Sequence, residues 1–171
     1  MFDTVTGLPV HVLVVHAVLV MVPLAAFGVV VIAAVPRWRE RYGPLVLAAV
    51  TAGLVLVPVA TQSGVKLKDR IDASGVVARQ IDRHSDLGAL VIWPTLVLWV
   101  LTVALVLMSR SASRAVHGGH SVRSARSGRG LTMVAVLAVL AAITAGGIVA
   151  RVGHLGSTAV WSCTIGSDAC R

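Results

Sequence analysis

Four long apolar stretches constrain the fold of this chain more than any other feature. They cover roughly residues 8–35, 44–61, 87–108 and 131–152. A helix needs about 20 apolar residues to cross a bilayer, and each stretch approaches or exceeds that length. The chain is 57% hydrophobic and 13% charged, which lies far from the composition of a soluble domain. We therefore predict an integral membrane protein that crosses the bilayer four times.

No segment shows the alternating pattern of a β-strand, so we predict an all-α fold. The simplest architecture is an up-and-down four-helix bundle that forms one domain over residues 1–171, with residues 153–171 as a tail. The third helix is expected to begin before the membrane, near residue 74, and to carry His84 on its apolar face, because four residues recur there at helical spacing: Val77, Ile81, His84 and Gly88.

The basic residues predict the orientation. Lys and Arg together number eight in the first and third connections, residues 36–43 and 109–130, and five in the middle connection, residues 62–86. The positive-inside rule then places the first and third connections in the cytoplasm and both termini outside it. This pattern accounts for the net charge of +8, and we predict no nucleic-acid partner.

Two cysteines lie in the predicted tail, Cys163 and Cys170. In this topology they lie outside the cytoplasm, where disulfides form and persist. We predict a disulfide between them, and the alternative is two unrelated free thiols.

Four histidines are predicted to share the outer side of the membrane. His11 and His16 lie near the start of the first helix, His84 near the start of the third and His154 at the end of the fourth. Histidines within membrane segments are costly and often functional. His117 and His120 fall in the third connection and are interpreted as exposed loop residues.

Helix geometry separates the first two of these histidines. Five residues of helix rotate a side chain by about 140°, so His11 and His16 cannot address the same point. We expect them to have different partners. No paired spacing that presents two ligands to one zinc occurs in this helix.

The histidine layer predicts a cofactor site formed by His11, His16, His84 and His154. Helical bundles bind cofactors with inward side chains, and haem iron accepts axial histidines from two helices. Haem b is therefore the first interpretation, and imidazole-bound zinc or copper is the alternative. Asp86 is a candidate partner that orients an imidazole, or else an exposed carboxylate. Three glycines would let a flat macrocycle approach the helices, unless they serve helix packing: Gly88, Gly146 and Gly147.

The chain resembles the bacterial membrane-protein family known as domain of unknown function 2231. The resemblance rests on three motifs that contain all four histidines: LPVHVLVVH at the amino end, RHSDLG at the third helix and RVGHLGSTAVW at the end of the fourth. It implies a location in the bacterial inner membrane. Related domains are sometimes joined to Rieske iron–sulfur domains, which implies a redox setting. This chain lacks the Cys and His sets of a Rieske cluster, so an electron partner would be a separate protein.

Three functions remain open from the sequence. The first is electron transfer through a bound haem, by a redox carrier rather than a stand-alone enzyme. The second is binding or handling of zinc or copper, and the third is a structural or assembly subunit without a cofactor. The lipid bilayer is the expected environment, and a homodimer is compatible with each function.

Overall fold

The computed structural model describes residues 4–5, 7–71, 75–117 and 124–161. A two-residue antiparallel pair, β1 (Thr4–Val5) with β2 (Leu8–Pro9), precedes the helices. The helices are α1 (Val10–Ala34), α2 (Pro36–Lys68), α3 (Gly75–Leu90), α4 (Ile92–His117) and α5 (Ser124–Trp161). A single residue, Val91, separates α3 from α4, so the two helices form one span.

The predicted all-α membrane bundle is confirmed. Four helical segments are long and apolar enough to cross a bilayer: Val10–Ala34, Pro36–Lys68, Gly75–Ser111 and Gly128–Trp161. In the bundle, α1 and α4 each pack against both α2 and α5, while α3 packs mainly against α5. The residues buried between the helices are mainly valine, alanine and leucine.

Three of the four spans extend well beyond the apolar stretches that indicate them, whereas α1 is slightly shorter than its stretch. The first connection shrinks to Val35, because α2 begins at Pro36. Proline suits the first position of a helix, where its missing N–H is not needed. The polar residues that the sequence suggests are loop therefore form the first turns of α2, and α2 likewise continues past residue 61 to Lys68.

A buried arginine secures the turn between α1 and α2. The Arg39 side chain is only 6% exposed. Its Nε donates a hydrogen bond to the carbonyl oxygen of Ile32 at 2.9 Å, and its Nη2 donates to that of Ala33 at 2.8 Å. The last carbonyls of a helix have no partner within the helix, so this guanidinium satisfies the end of α1 and fixes α2 against it.

The two halves of the bundle bury corresponding positions. Five buried residues of α1 correspond to buried residues located 73 positions further along the chain: Val18, Val22, Ala25, Val29 and Ile32 correspond to Val91, Thr95, Leu98, Thr102 and Leu105. Three buried residues of α2 likewise correspond to residues of α5 located 92 positions further on: Val50, Gly53 and Val57 correspond to Ala142, Ala145 and Val149.

This correspondence makes the bundle a structural repeat of two helical hairpins. The first hairpin is α1 with α2, and the second is α3 and α4 with α5. Both hairpins begin at the same end of the bundle, where α1 and α3 meet. The repeats therefore run in parallel, as in membrane proteins whose halves are related by an axis along the membrane normal.

Candidate histidine site

His11 lies in the first turn of α1 and packs against the last turns of α2. Its Nδ1 is 3.0 Å from the main-chain oxygen of Ala60 and 3.4 Å from Ser63 Oγ. The Ser63 hydroxyl itself donates to the Ala60 oxygen at 3.0 Å. The ring is half-buried, so α1 and α2 together fix its position.

His84 occupies the corresponding place in the second hairpin. It lies on α3, and its Nδ1 is 3.0 Å from the main-chain oxygen of Val152 in α5. The ring is also half-buried. His84 follows His11 by the same 73 positions that relate the buried residues of α1 and α4. The two imidazoles therefore belong to the structural repeat.

The two rings come together at one end of the bundle, which we call the histidine end. Their centroids are 6.2 Å apart, and their planes meet at 81°. The sequence places both residues in one layer, and the structure brings these two together.

The hydrogen bonds assign the tautomer of both rings. A carbonyl oxygen can only accept a hydrogen bond, so Nδ1 of each imidazole must carry the proton that it donates. In the neutral ring, Nε2 then keeps its lone pair. Metal-binding histidines are commonly held in this way, with the second ring nitrogen donating to a carbonyl or carboxylate. His11 and His84 are thus both prepared to offer Nε2 to a ligand.

The structure does not bring His16 and His154 into this pair. Both side chains are exposed on the outside of the bundle. The Nδ1 of His16 donates to the carbonyl of Val12 in its own helix. His11 and His16 therefore have different partners, as the helix rotation requires. Across the described residues, no group of three or more His, Cys, Asp or Glu side chains is arranged to hold a metal ion.

The remaining candidate residues lie elsewhere. Asp86 is exposed on α3, and the partner that orients His84 is the Val152 carbonyl. The backbone of His117 ends α4, and its side chain lies outside the described residues. The described residues also exclude His120, Cys163 and Cys170, and with them the predicted disulfide.

The number of ligands in the pair limits the group that it could hold. The two ring centroids are 6.2 Å apart. Zinc sites usually require three or four protein ligands, whereas two histidines are enough to hold haem iron. By its number of ligands, the pair would therefore suit haem better than zinc or copper.

An ion pair joins the two hairpins beside the histidines. Lys68 Nζ in the last turn of α2 is 2.8 Å from Asp82 Oδ1 on α3. Asp82 precedes His84 by two residues. Both side chains are substantially exposed, and surface pairs of this kind contribute little to stability. The pair nevertheless marks where the second half of α3 meets the end of α2.

The sequence interpretation missed the main-chain and glycine positions that support the rings. Ala60 and Val152 provide the carbonyls, and Gly64 and Gly156 lie next to the Nδ1 and Cε1 atoms of the rings. A signal was available in the second hairpin, because Gly156 lies within the HLGS sequence beside His154.

Comparison with known proteins identifies a family. A family model described as "Predicted membrane protein (DUF2231)" matches residues 7–169. No curated protein and no solved structure shows significant similarity to the chain. The match spans nearly all of the sequence and includes both helical hairpins.

Proposed function

The chain belongs to the DUF2231 family of predicted membrane proteins, and we propose that it binds haem b between His11 and His84 and transfers electrons. The observation that carries this proposal is the pair of neighbouring imidazoles from two hairpins, with centroids 6.2 Å apart. Each imidazole donates a hydrogen bond from Nδ1 to a main-chain carbonyl, which leaves Nε2 available to bind a ligand.

The pair favours electron transfer over substrate chemistry. His11 and His84 would together hold the haem iron, and the bound haem would supply one-electron chemistry, which suits a redox carrier better than an enzyme that binds substrate at the iron. The protein residues hold the two imidazoles, orient them through the carbonyls and surround them with packed helices. His16 and His154 face away from the pair, so we narrow the proposed ligands to His11 and His84.

The charge distribution supports an orientation. The connections at the end opposite the histidines carry eight Lys and Arg residues, against five in the middle connection at the histidine end. We propose that the histidine end faces outward from the bacterial inner membrane, with both termini there. The electron partner would then meet the bundle at that end, from the membrane or the extracytoplasmic side.

An absorption spectrum tests this function. The full chain is purified in detergent from haem-replete cells, and its spectrum is recorded before and after dithionite. We expect a Soret band, with sharp α and β bands after reduction. His84→Ala should abolish the signal, and His154→Ala is the matched control that should preserve it.

A colourless preparation would contradict haem binding. Elemental analysis of the same preparation then separates the other functions. Stoichiometric zinc or copper that depends on His84 would indicate a metal-handling protein. Its absence would leave a structural or assembly subunit in which the two imidazoles only bind main-chain carbonyls.

A further inference from the structure

Both imidazoles of the pair are supported by the same local arrangement in the neighbouring helix. His11 donates to the carbonyl of Ala60, and Gly64 follows that residue by four positions. His84 donates to the carbonyl of Val152, and Gly156 again follows by four. One helical turn therefore separates the carbonyl from the glycine in each hairpin.

The glycines leave the space that the rings occupy. A Cβ built on Gly64 would lie 2.8 Å from His11 Cε1 and 3.0 Å from its Nδ1. A Cβ on Gly156 would lie 3.0 Å from His84 Cε1 and 3.1 Å from its Nδ1. A Cβ on Gly64 would therefore force a shift of the His11 ring or of its surroundings, and a Cβ on Gly156 would require the His84 ring to give by a few tenths of an ångström. Gly147 lies in the same helix as Gly156, yet a Cβ there would meet nothing within 4 Å.

The structural repeat relates the two arrangements. Ala60 and Gly64 precede Val152 and Gly156 by 92 positions, the same separation that relates the buried residues of α2 and α5. Most residue types differ between the hairpins, but histidine and glycine are present in both. The repeated elements are a ring, a carbonyl that accepts from its Nδ1 and a glycine next to its Nδ1 and Cε1 atoms.

We infer that the site consists of two equivalent half-sites, and that Gly64 and Gly156 are the positioning residues that hold His11 and His84 with Nε2 free for a shared ligand. The identity of that ligand as haem rests on the proposed function. The half-site geometry concerns this chain's own residues and can be measured without it.

Histidine NMR tests the positioning directly. The protein is labelled with ¹⁵N-histidine, stripped of any haem and reconstituted in lipid nanodiscs, and the imidazole signals are assigned with His11→Ala and His84→Ala. We expect the Nδ1–H form for both rings in the unsubstituted chain. Gly64→Ala should shift the His11 signals and reduce its Nδ1–H form, while His84 stays unchanged. Gly156→Ala should do the reverse, and Gly147→Ala should alter neither.

A second measurement covers loss of folding. If the added methyl group destabilises the protein by displacing the ring, removal of the ring should relieve that loss of stability. The melting temperature of the His11→Ala/Gly64→Ala double variant should then exceed the value expected from adding the two single effects. Additive effects, or unchanged His11 signals in Gly64→Ala, would overturn the inference.

The two proposals fail separately. Unshifted histidine signals would reject the positioning role even if the protein binds haem. Shifted signals in a chain that never takes up haem would reject the proposed function and retain the two half-sites. Where haem binds, each glycine substitution should weaken it by about 10- to 100-fold, the usual effect of losing a group that orients a metal ligand.

Discussion

The rings of His11 and His84 lie edge to face with their centroids 6.2 Å apart. They come from the first helix of each hairpin and occupy corresponding positions in the structural repeat. The two rings therefore meet where the two hairpins, each with the same arrangement of carbonyl and glycine around its histidine, come together. This relationship concentrates the proposed function in two residues and leaves the other histidines as internal controls.

Substitution of the paired histidines should remove the ligand. We expect His11→Ala and His84→Ala each to lower the haem content of the purified protein by about ten-fold or more, because an axial ligand affects affinity at least as strongly as the groups that orient it. His16→Ala and His154→Ala should retain haem, since both side chains face outward. The pyridine haemochrome assay gives haem per chain, and equal losses in all four variants would contradict the pairing.

Cysteine labelling tests the orientation. In a background with Cys163→Ser and Cys170→Ser, we expect Asp69→Cys to react with a membrane-impermeant maleimide in intact cells that have a permeable outer barrier. Arg110→Cys should react only after the inner membrane is opened, because the proposed topology, which follows the excess of Lys and Arg, places that end in the cytoplasm. The opposite labelling pattern would invert the proposed topology.

Removal of the Arg39 guanidinium should destabilise the first hairpin. Arg39 donates to the carbonyls of Ile32 and Ala33 and is almost completely buried. Hydrogen bonds to a charged group contribute about 1.5–3 kcal/mol each, so Arg39→Ala should lower the free energy of unfolding by about 3 kcal/mol. Arg37→Ala, at an exposed position, should change it by less than about 0.5 kcal/mol. Equal effects in a thermal or denaturant unfolding assay would refute the capping role.

Close packing between α1 and α2 predicts a second stability effect. A Cβ at Gly53 would already lie 3.1 Å from Val22 Cγ2, so Gly53→Leu should force the helices apart. Overpacking of this kind costs about 1–3 kcal/mol. The matched control is Gly147→Leu, whose added side chain points into open space. Unfolding in detergent compares the two, and an unchanged midpoint for Gly53→Leu would count against the described interface.

Much of the fold follows from the sequence because lipid demands long apolar helices. Three of the four predicted stretches lie within observed spans, and the first is slightly longer than its span, Val10–Ala34. The ends of the spans are harder to predict from the sequence, because polar turns such as those around Arg39 continue the helices outside the apolar region. Charged residues can continue a helix outside the membrane, so the amino-acid composition does not mark where such a helix ends.

The site was predictable as a layer but not as a pair. The helix starts place His11, His16 and His84 at one end, and a rotation of about 140° separates the first two. Which of them faces His84 depends on how α1 packs against α2, and periodicity alone does not determine that in a helix that is apolar on every side. The repeat is also hidden in the sequence, because Val22 corresponds to Thr95 and Ala25 to Leu98. Burial is retained at these positions while residue type changes.

The most direct test of the account is the electron paramagnetic resonance spectrum of the oxidised, haem-loaded protein. Two histidine ligands would make the ferric iron low-spin, whereas the loss of either ligand would favour a high-spin signal. We predict a low-spin ferric signal that is lost in both alanine variants, His11→Ala and His84→Ala. A high-spin spectrum, or a low-spin signal unaffected by both substitutions, would contradict haem ligation by this pair.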